Sequence, residues 1–156
     1  MQVRILRLEP MRVAYSHAVG AEPEKASWEI MEKWAKAKGL LDGTRPYRIF
    51  GHNNPNPSGG DPIYGYDFLL TVDEEVEPEG EIGVKRLAGG LYAATLIPLG
   101  TGDGSHISDA WMELHQWVEA SAFRRGSHQW LEEQLTVTAA DGSQELLLDL
   151  YYPLEG

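Results

Sequence analysis

Residues 84–100, VKRLAGGLYAATLIPLG, decide the reading of this chain, because the order of features that starts there has already occurred once upstream. This extended run precedes a helical pattern at 105–123, which is followed by two more extended runs at 130–138 and 145–152. In the first half, residues 6–20 (LRLEPMRVAYSHAVG) precede a helical pattern at 22–41, and extended runs follow at 47–52 and 63–72. Each half therefore reads strand, helix, strand, strand. A unit of that size does not bury both faces of a helix-covered sheet alone. The pattern thus predicts a single domain, 1–156, of α+β class, in which repeat halves at about 1–73 and 82–156 share one mainly antiparallel sheet with pseudo-twofold symmetry. A central cleft is expected where the halves meet.

The helices are legible from their stripes. In 22–41, Ile30, Met31, Trp34, Ala37 and Leu41 recur at helical spacing, while Glu29 with Lys33 and Glu32 with Lys36 stand four apart on the polar side. Pro23 suits a first turn, and Gly39 and Gly43 suit an exit. The second helix repeats the stripe with Ile107, Ala110, Trp111, Leu114, Trp117 and Val118, and Ser105 after the turn 100–104 (GTGDG) is its expected N-cap. Between 63 and 72, Tyr64, Tyr66, Phe68, Leu70 and Val72 alternate as a strand does, and 139–143 (AADGS) reads as the turn of a closing hairpin. Residues 52–62 (HNNPNPSGGDP) read as a loop between strands. Residues 73–81 (DEEVEPEGE) place six carboxylates in nine positions and read as a solvated connector between the repeats.

Composition narrows the function. The chain has 156 residues, 42% apolar and 10% aromatic, enough for a real core. Its 24 acidic and 13 basic residues leave a net charge of −11, so the phosphate-neutralising surface that nucleic-acid binding needs is missing, and cationic or neutral partners are favoured. Without cysteine there is neither a disulfide nor a thiolate nucleophile. The N-terminal MQVRILRLEP has no leader pattern and no run suits a membrane span, so the expectation is a cytoplasmic protein without membrane contact. No Walker loop, dinucleotide fingerprint or HExxH occurs, and no cofactor or metal is expected. His106, Asp109 and Glu113 at i, i+3 and i+7 read as a solvated helix face rather than a metal site.

Further residues carry a likeness. GGLYA at 89–93 followed by Gly100, Trp111 and Trp117 on the second helix, WLEE at 130–133 and the closing LDLYYPL at 148–154 stand in an order and spacing that resembles the GyrI-like small-molecule-binding domain, the effector-binding domain of multidrug-responsive transcription regulators. The likeness covers nearly the whole chain. It implies a ligand cleft lined by aromatics around one carboxylate, on the strand after the second helix, and Glu132 is the residue that matches. Glu133 beside it leaves the register open. By strand alternation Glu132 shares a side with Trp130, Gln134 and Thr136, and Glu133 shares the other with Leu131, Leu135 and Val137. Gln134 stands where the family often has an aromatic. Candidate aromatic walls are Trp28, Tyr66, Tyr92 and Trp111, each of which equally suits a core position.

The resemblance implies a binding protein for hydrophobic, often cationic or planar aromatic, small molecules. In the regulators such a domain is fused to a DNA reader. Here the sensor fold takes up the 156 residues, so a stand-alone form without direct nucleic-acid binding is expected, with any transcriptional role left to a protein partner. A rival reading follows from stand-alone family members that hydrolyse strained electrophilic rings, notably cyclopropane-bearing toxins. There Glu132 would activate water and Tyr66 would donate to the leaving group. Residue types alone do not separate the two, since one carboxylate serves a cation or a water. A protein-binding inhibitor is a third reading, supported only by the acidic connector.

Overall fold

The computed structural model describes residues 1–100 and 103–156. Its strands are β1 (Arg4–Leu8), β2 (Met11–Gly20), β3 (Ile49–Asn53), β4 (Tyr64–Thr71), β5 (Gly83–Leu87), β6 (Gly90–Pro98), β7 (Leu131–Thr138) and β8 (Gln144–Leu154). The helices are α1 (Pro23–Ala37) and α2 (Ser105–Glu119). The class is α+β, as the alternating patterns predict. Both helices stop short of their sequence-predicted ends. α1 closes at Lys38 with Gly39 at φ 70°, a left-handed position that favours glycine. The N-cap of α2 is Gly104 at φ 79° rather than Ser105, whose N–H is instead taken by the Asp103 carboxylate at 3.0 Å. Thr101 and Gly102 of the expected turn lie outside the described residues.

The chain divides into two compact units, and only one of them is a continuous stretch. One comprises Met1–Pro10 with Ala88–Gly156, and the other is Met11–Leu87. The long extended run 6–20 is two strands, broken at Glu9 and Pro10, where proline has no N–H to give a ladder. β1 does not fold back on β2 but pairs antiparallel with β6, and β5 pairs antiparallel with β2. The second break, before β6, needs Gly89: it sits at φ 75°, and a Cβ there would run into the Leu8 carbonyl. The acidic segment 73–81 accordingly lies inside the second unit. It is mostly exposed and is tied down by Arg12, which donates to the carbonyls of Asp73 and Val76, and by Lys38 on Glu79 at 2.6 Å.

Within the first unit the strand order is β1-β6-β8-β7, and α2 covers one face. Ala110, Leu114 and Val118 of α2 pack on Ala93, Leu148, Leu150, Tyr152 and Leu154. Within the second unit the order is β3-β4-β2-β5, and α1 lays Met31 and Ala35 on Ala14, Tyr66, Phe68, Leu70 and Val72. The β4 alternation thus faces its helix as the spacing predicts. Each fully buried side chain such as Leu114 or Leu150 contributes about 1.5–3 kcal/mol. The 139–143 turn closes β7 onto β8 as expected, with Ala139 N–H donating to the Ser143 carbonyl at 2.8 Å.

Candidate functional site

The first unit gathers an aromatic group on its helix-covered face. Trp111 on α2 lies 5.4 Å, centroid to centroid, from Trp130, which leads into β7, and Trp130 lies 4.4 Å from Tyr152 on β8. His115, one helical turn after Trp111, places Nδ1 2.7 Å from the Tyr152 hydroxyl. Trp111 and Trp130 are only partly buried, so part of their ring surface is open. The Arg125 guanidinium stands 5.1 Å over the Trp130 ring in a cation–π contact.

The β7–β8 register separates the two glutamates. Glu132 lies opposite Leu150, and Glu133 lies opposite Asp149. Leu150 belongs to the core beneath α2, so Glu132 shares the helix-covered side with Trp130 and Tyr152 and is partly exposed. Glu133 points to the other face, is 4% exposed, and accepts the Tyr151 hydroxyl at 2.7 Å. On that other face the Arg4 guanidinium grips both oxygens of Asp149 at 2.6 and 2.8 Å, which holds the arginine above its usual pKa. Tyr92 is there too. It is 1% exposed, stacks edge-on against Tyr151 at 5.6 Å, and donates to the Gln129 carbonyl at 2.6 Å. Burial pushes its hydroxyl up to about 12, so it remains protonated. Tyr92 is thereby set apart from Glu132 by the thickness of the sheet.

In the second unit Trp28 of α1 packs edge-on against Phe68 at 5.2 Å, and Tyr66 does the same at 5.0 Å. Tyr66 is buried and its phenol lies against Gly51 of β3, where a Cβ would collide with it. Trp28 is partly buried. Of the residues singled out in the sequence, Glu132, Trp111, Trp28 and Tyr66 thus stand on the helix-covered faces of their units, and Tyr92 does not. Trp130, Tyr152 and Arg125 join the first group. Trp130 was visible in the WLEE stretch, but its stacking on Tyr152 requires the β7–β8 pairing.

The second unit also holds a polar cluster that no motif announced. On the face away from α1, the Asp67 carboxylate, 3% exposed, receives His17 Nδ1 at 2.5 Å and the Asn54 amide at 3.1 Å, with His52 Nε2 3.8 Å away. These residues lie on β2, β3, β4 and the loop after β3, up to 50 positions apart in sequence. Among the described residues no group of three or more histidine or carboxylate side chains is placed to hold a metal. Among them, too, no helix is long and apolar enough to cross a membrane.

A family model described as the GyrI-like small molecule binding domain matches residues 1–155. A comparison with curated proteins gives no match. Among solved structures the chain is similar to the C-terminal domain of EcmrR, with TM-score 0.74 and 17% identity, covering 99% of this chain and 97% of that one. In the EcmrR–DNA complex the likeness has TM-score 0.71 and 16% identity, and this chain spans 57% of the EcmrR chain. A hydrolase from Listeria innocua is similar at TM-score 0.61 and 12% identity, over 99% of this chain and 92% of that one. SAV2435 bound to tetraphenylphosphonium is similar at TM-score 0.52 and 13% identity, over 100% and 95% respectively.

Proposed function

The chain belongs to the GyrI-like small-molecule-binding domain family, and from that premise we propose that it takes up lipophilic cations or planar aromatic molecules with Glu132 as the charged anchor. The observation that carries this reading is the placement of Glu132 on the same side of the first unit as Trp130, Tyr152 and Trp111. A carboxylate among ring faces attracts a cation twice. At ~5 Å and an effective dielectric of ~20 the ion pair contributes roughly 3 kcal/mol before desolvation is subtracted. Each cation–ring contact adds about 0.5–2 kcal/mol. With apolar burial, micromolar affinity, about −8 kcal/mol, is in range. Tetraphenylphosphonium on a structurally similar protein supports a ligand of this class. Trp28, partly buried, presents aromatic surface of the same kind on the helix-covered side of the second unit, where it packs on the buried Phe68, whereas Tyr66 and Tyr92 are buried.

The test is a fluorescence titration with a rhodamine dye and with tetraphenylphosphonium, comparing wild type, Glu132→Gln and Glu133→Gln. Glu132→Gln is expected to weaken binding about tenfold or more, roughly 1.4 kcal/mol, with Glu133→Gln close to wild type. Equal affinity of wild type and Glu132→Gln would remove the anchor. A second reading draws on the likeness to a Listeria innocua hydrolase: Glu132 activates water against a strained electrophilic ring. Product formation that is lost in Glu132→Gln would establish it. Saturable binding without product over hours would leave binding as the function.

A further inference from the structure

One contact of the Asp67 cluster joins a buried carboxylate to an exposed ring. Asp67 of β4 is 3% exposed, the His17 side chain is 46% exposed, and the two residues stand opposite each other across the β2–β4 pair. His17 Nδ1 lies 2.5 Å from Asp67 Oδ1. An ionised carboxylate only accepts, so Nδ1 carries the ring proton, and Nε2 keeps its lone pair at the other end of an exposed imidazole. The rest of the carboxylate is occupied. Asn54 donates its side-chain amide to Oδ2 at 3.1 Å and its backbone N–H to the Gly65 carbonyl at 2.7 Å. The buried His52 ring closes on the same Oδ2 at 3.8 Å. Asp67 therefore cannot turn from His17 without giving up Asn54, a backing that an ion pair between two exposed side chains lacks.

A buried acceptor on one nitrogen of an exposed imidazole serves proton transfer in two ways. It selects the tautomer whose base is Nε2, and its negative charge stabilises the imidazolium once Nε2 takes a proton. The space beside the ring suits an aromatic substrate. β5 pairs with β2 only from Met11 to Tyr15, so no β5 residue stands opposite His17. Tyr15 and Val19 lie two positions to either side of His17 on β2 and share its face. The Tyr15 ring lies against Gly83 at the start of β5, with Lys85 Nζ 4.6 Å from its centroid, and Val19 is 57% exposed. The ring offers a platform for an aromatic group, and the ammonium offers charge to a developing oxyanion or phenolate.

We propose that His17 and Asp67 form a general-base dyad that hydrolyses aryl esters of carboxylic acids on the face of the second unit away from α1. Nε2 takes a proton from a water as the water oxygen bonds to the ester carbonyl carbon. The bond from that carbon to the aryl oxygen then breaks, the phenolate leaves with the bonding pair, and the proton on Nε2 passes to it. One ester and one water become one carboxylic acid and one phenol. His17 is the catalytic residue, because it touches the reacting water, and Asp67 positions it. The dyad makes no use of Glu132, so it stands or falls apart from the ligand reading.

Hydrolysis of p-nitrophenyl acetate by the full chain tests it. Wild type is expected to exceed free imidazole at equal concentration, and His17→Gln is expected to lower kcat/KM about a hundredfold, the low end of what a positioned general base contributes. His106→Gln, which removes a histidine outside the cluster, should match wild type. The rate should fall in D2O, since the proton of water moves in the slow step. Asp67→Asn should lower the rate to a similar degree, and nitrogen-15 NMR of the His17 ring should show the proton on Nδ1 in wild type and its displacement in Asp67→Asn. A His17→Gln rate equal to wild type, a wild type no faster than imidazole, the same rate in D2O, or a wild-type ring proton on Nε2 would overturn the dyad. Should Asp67→Asn fail to fold, His17→Gln at its exposed position and the wild-type ring spectrum decide.

Discussion

The two units place an aspartate at equivalent points and solve its burial differently. Asp149 on β8 and Asp67 on β4 each occupy an inner strand, on the face away from that unit's helix, at 6% and 3% exposure. Asp149 is neutralised by Arg4, whose charge is permanent, and the neighbouring Glu133 is met by a tyrosine hydroxyl. Asp67 is met by histidines and an amide, groups whose charge depends on pH or is absent. The charge that meets Asp149 is therefore indifferent to mild acid, whereas the charge that meets Asp67 is not. A buried carboxylate needs a partner in either case, but the choice of partner sets whether the need is constant.

Three substitutions sharpen or break this contrast. The largest effect is expected from Arg4→Met, which strands Asp149. It should cost about 2–3 kcal/mol in urea unfolding, below the range for fully buried pairs because the Arg4 side chain is 41% exposed. The loss should be the same at pH 7 and pH 5.5, and a strong dependence on pH would erase the distinction between the units. Next comes Tyr151→Phe, which keeps the ring but removes the hydroxyl donated to Glu133 at 2.7 Å. A loss of about 1–1.5 kcal/mol is expected in the same assay. No measurable change would show that Glu133 is solvated when Tyr151 withdraws. The smallest effect belongs to Lys38→Met. Its ion pair with Glu79 is 48% and 54% exposed, and thermal unfolding should register less than about 0.5 kcal/mol.

Much of the architecture was legible before any coordinates. The stripes of Met31 and Leu114 set the buried sides of α1 and α2, and the even-numbered residues from Tyr64 to Val72 set the inner side of β4. The acidic segment 73–81 was read correctly as exposed, but its place inside one unit was not. The break at Glu9 and Pro10 was written in the sequence as a proline within an extended run. Its consequence, β1 leaving β2 for β6, was not, because hairpin neighbours and distant partners leave the same alternation in a strand.

The candidate site shows the same division. The sequence by itself determined that one of two adjacent glutamates must point away from the other, that aromatics are plentiful around them, and that the chain carries net negative charge suited to cations. Only the tertiary structure decided that Glu132 shares a side with Trp130 and Tyr152, that Tyr92 lies on the opposite face, and that His17, His52 and Asp67 meet at all. The reason is physical. Periodicity is a local property of φ and ψ and reports which residues share a face, whereas the identity of that face and the partners across it depend on long-range pairing, which leaves no mark within either segment.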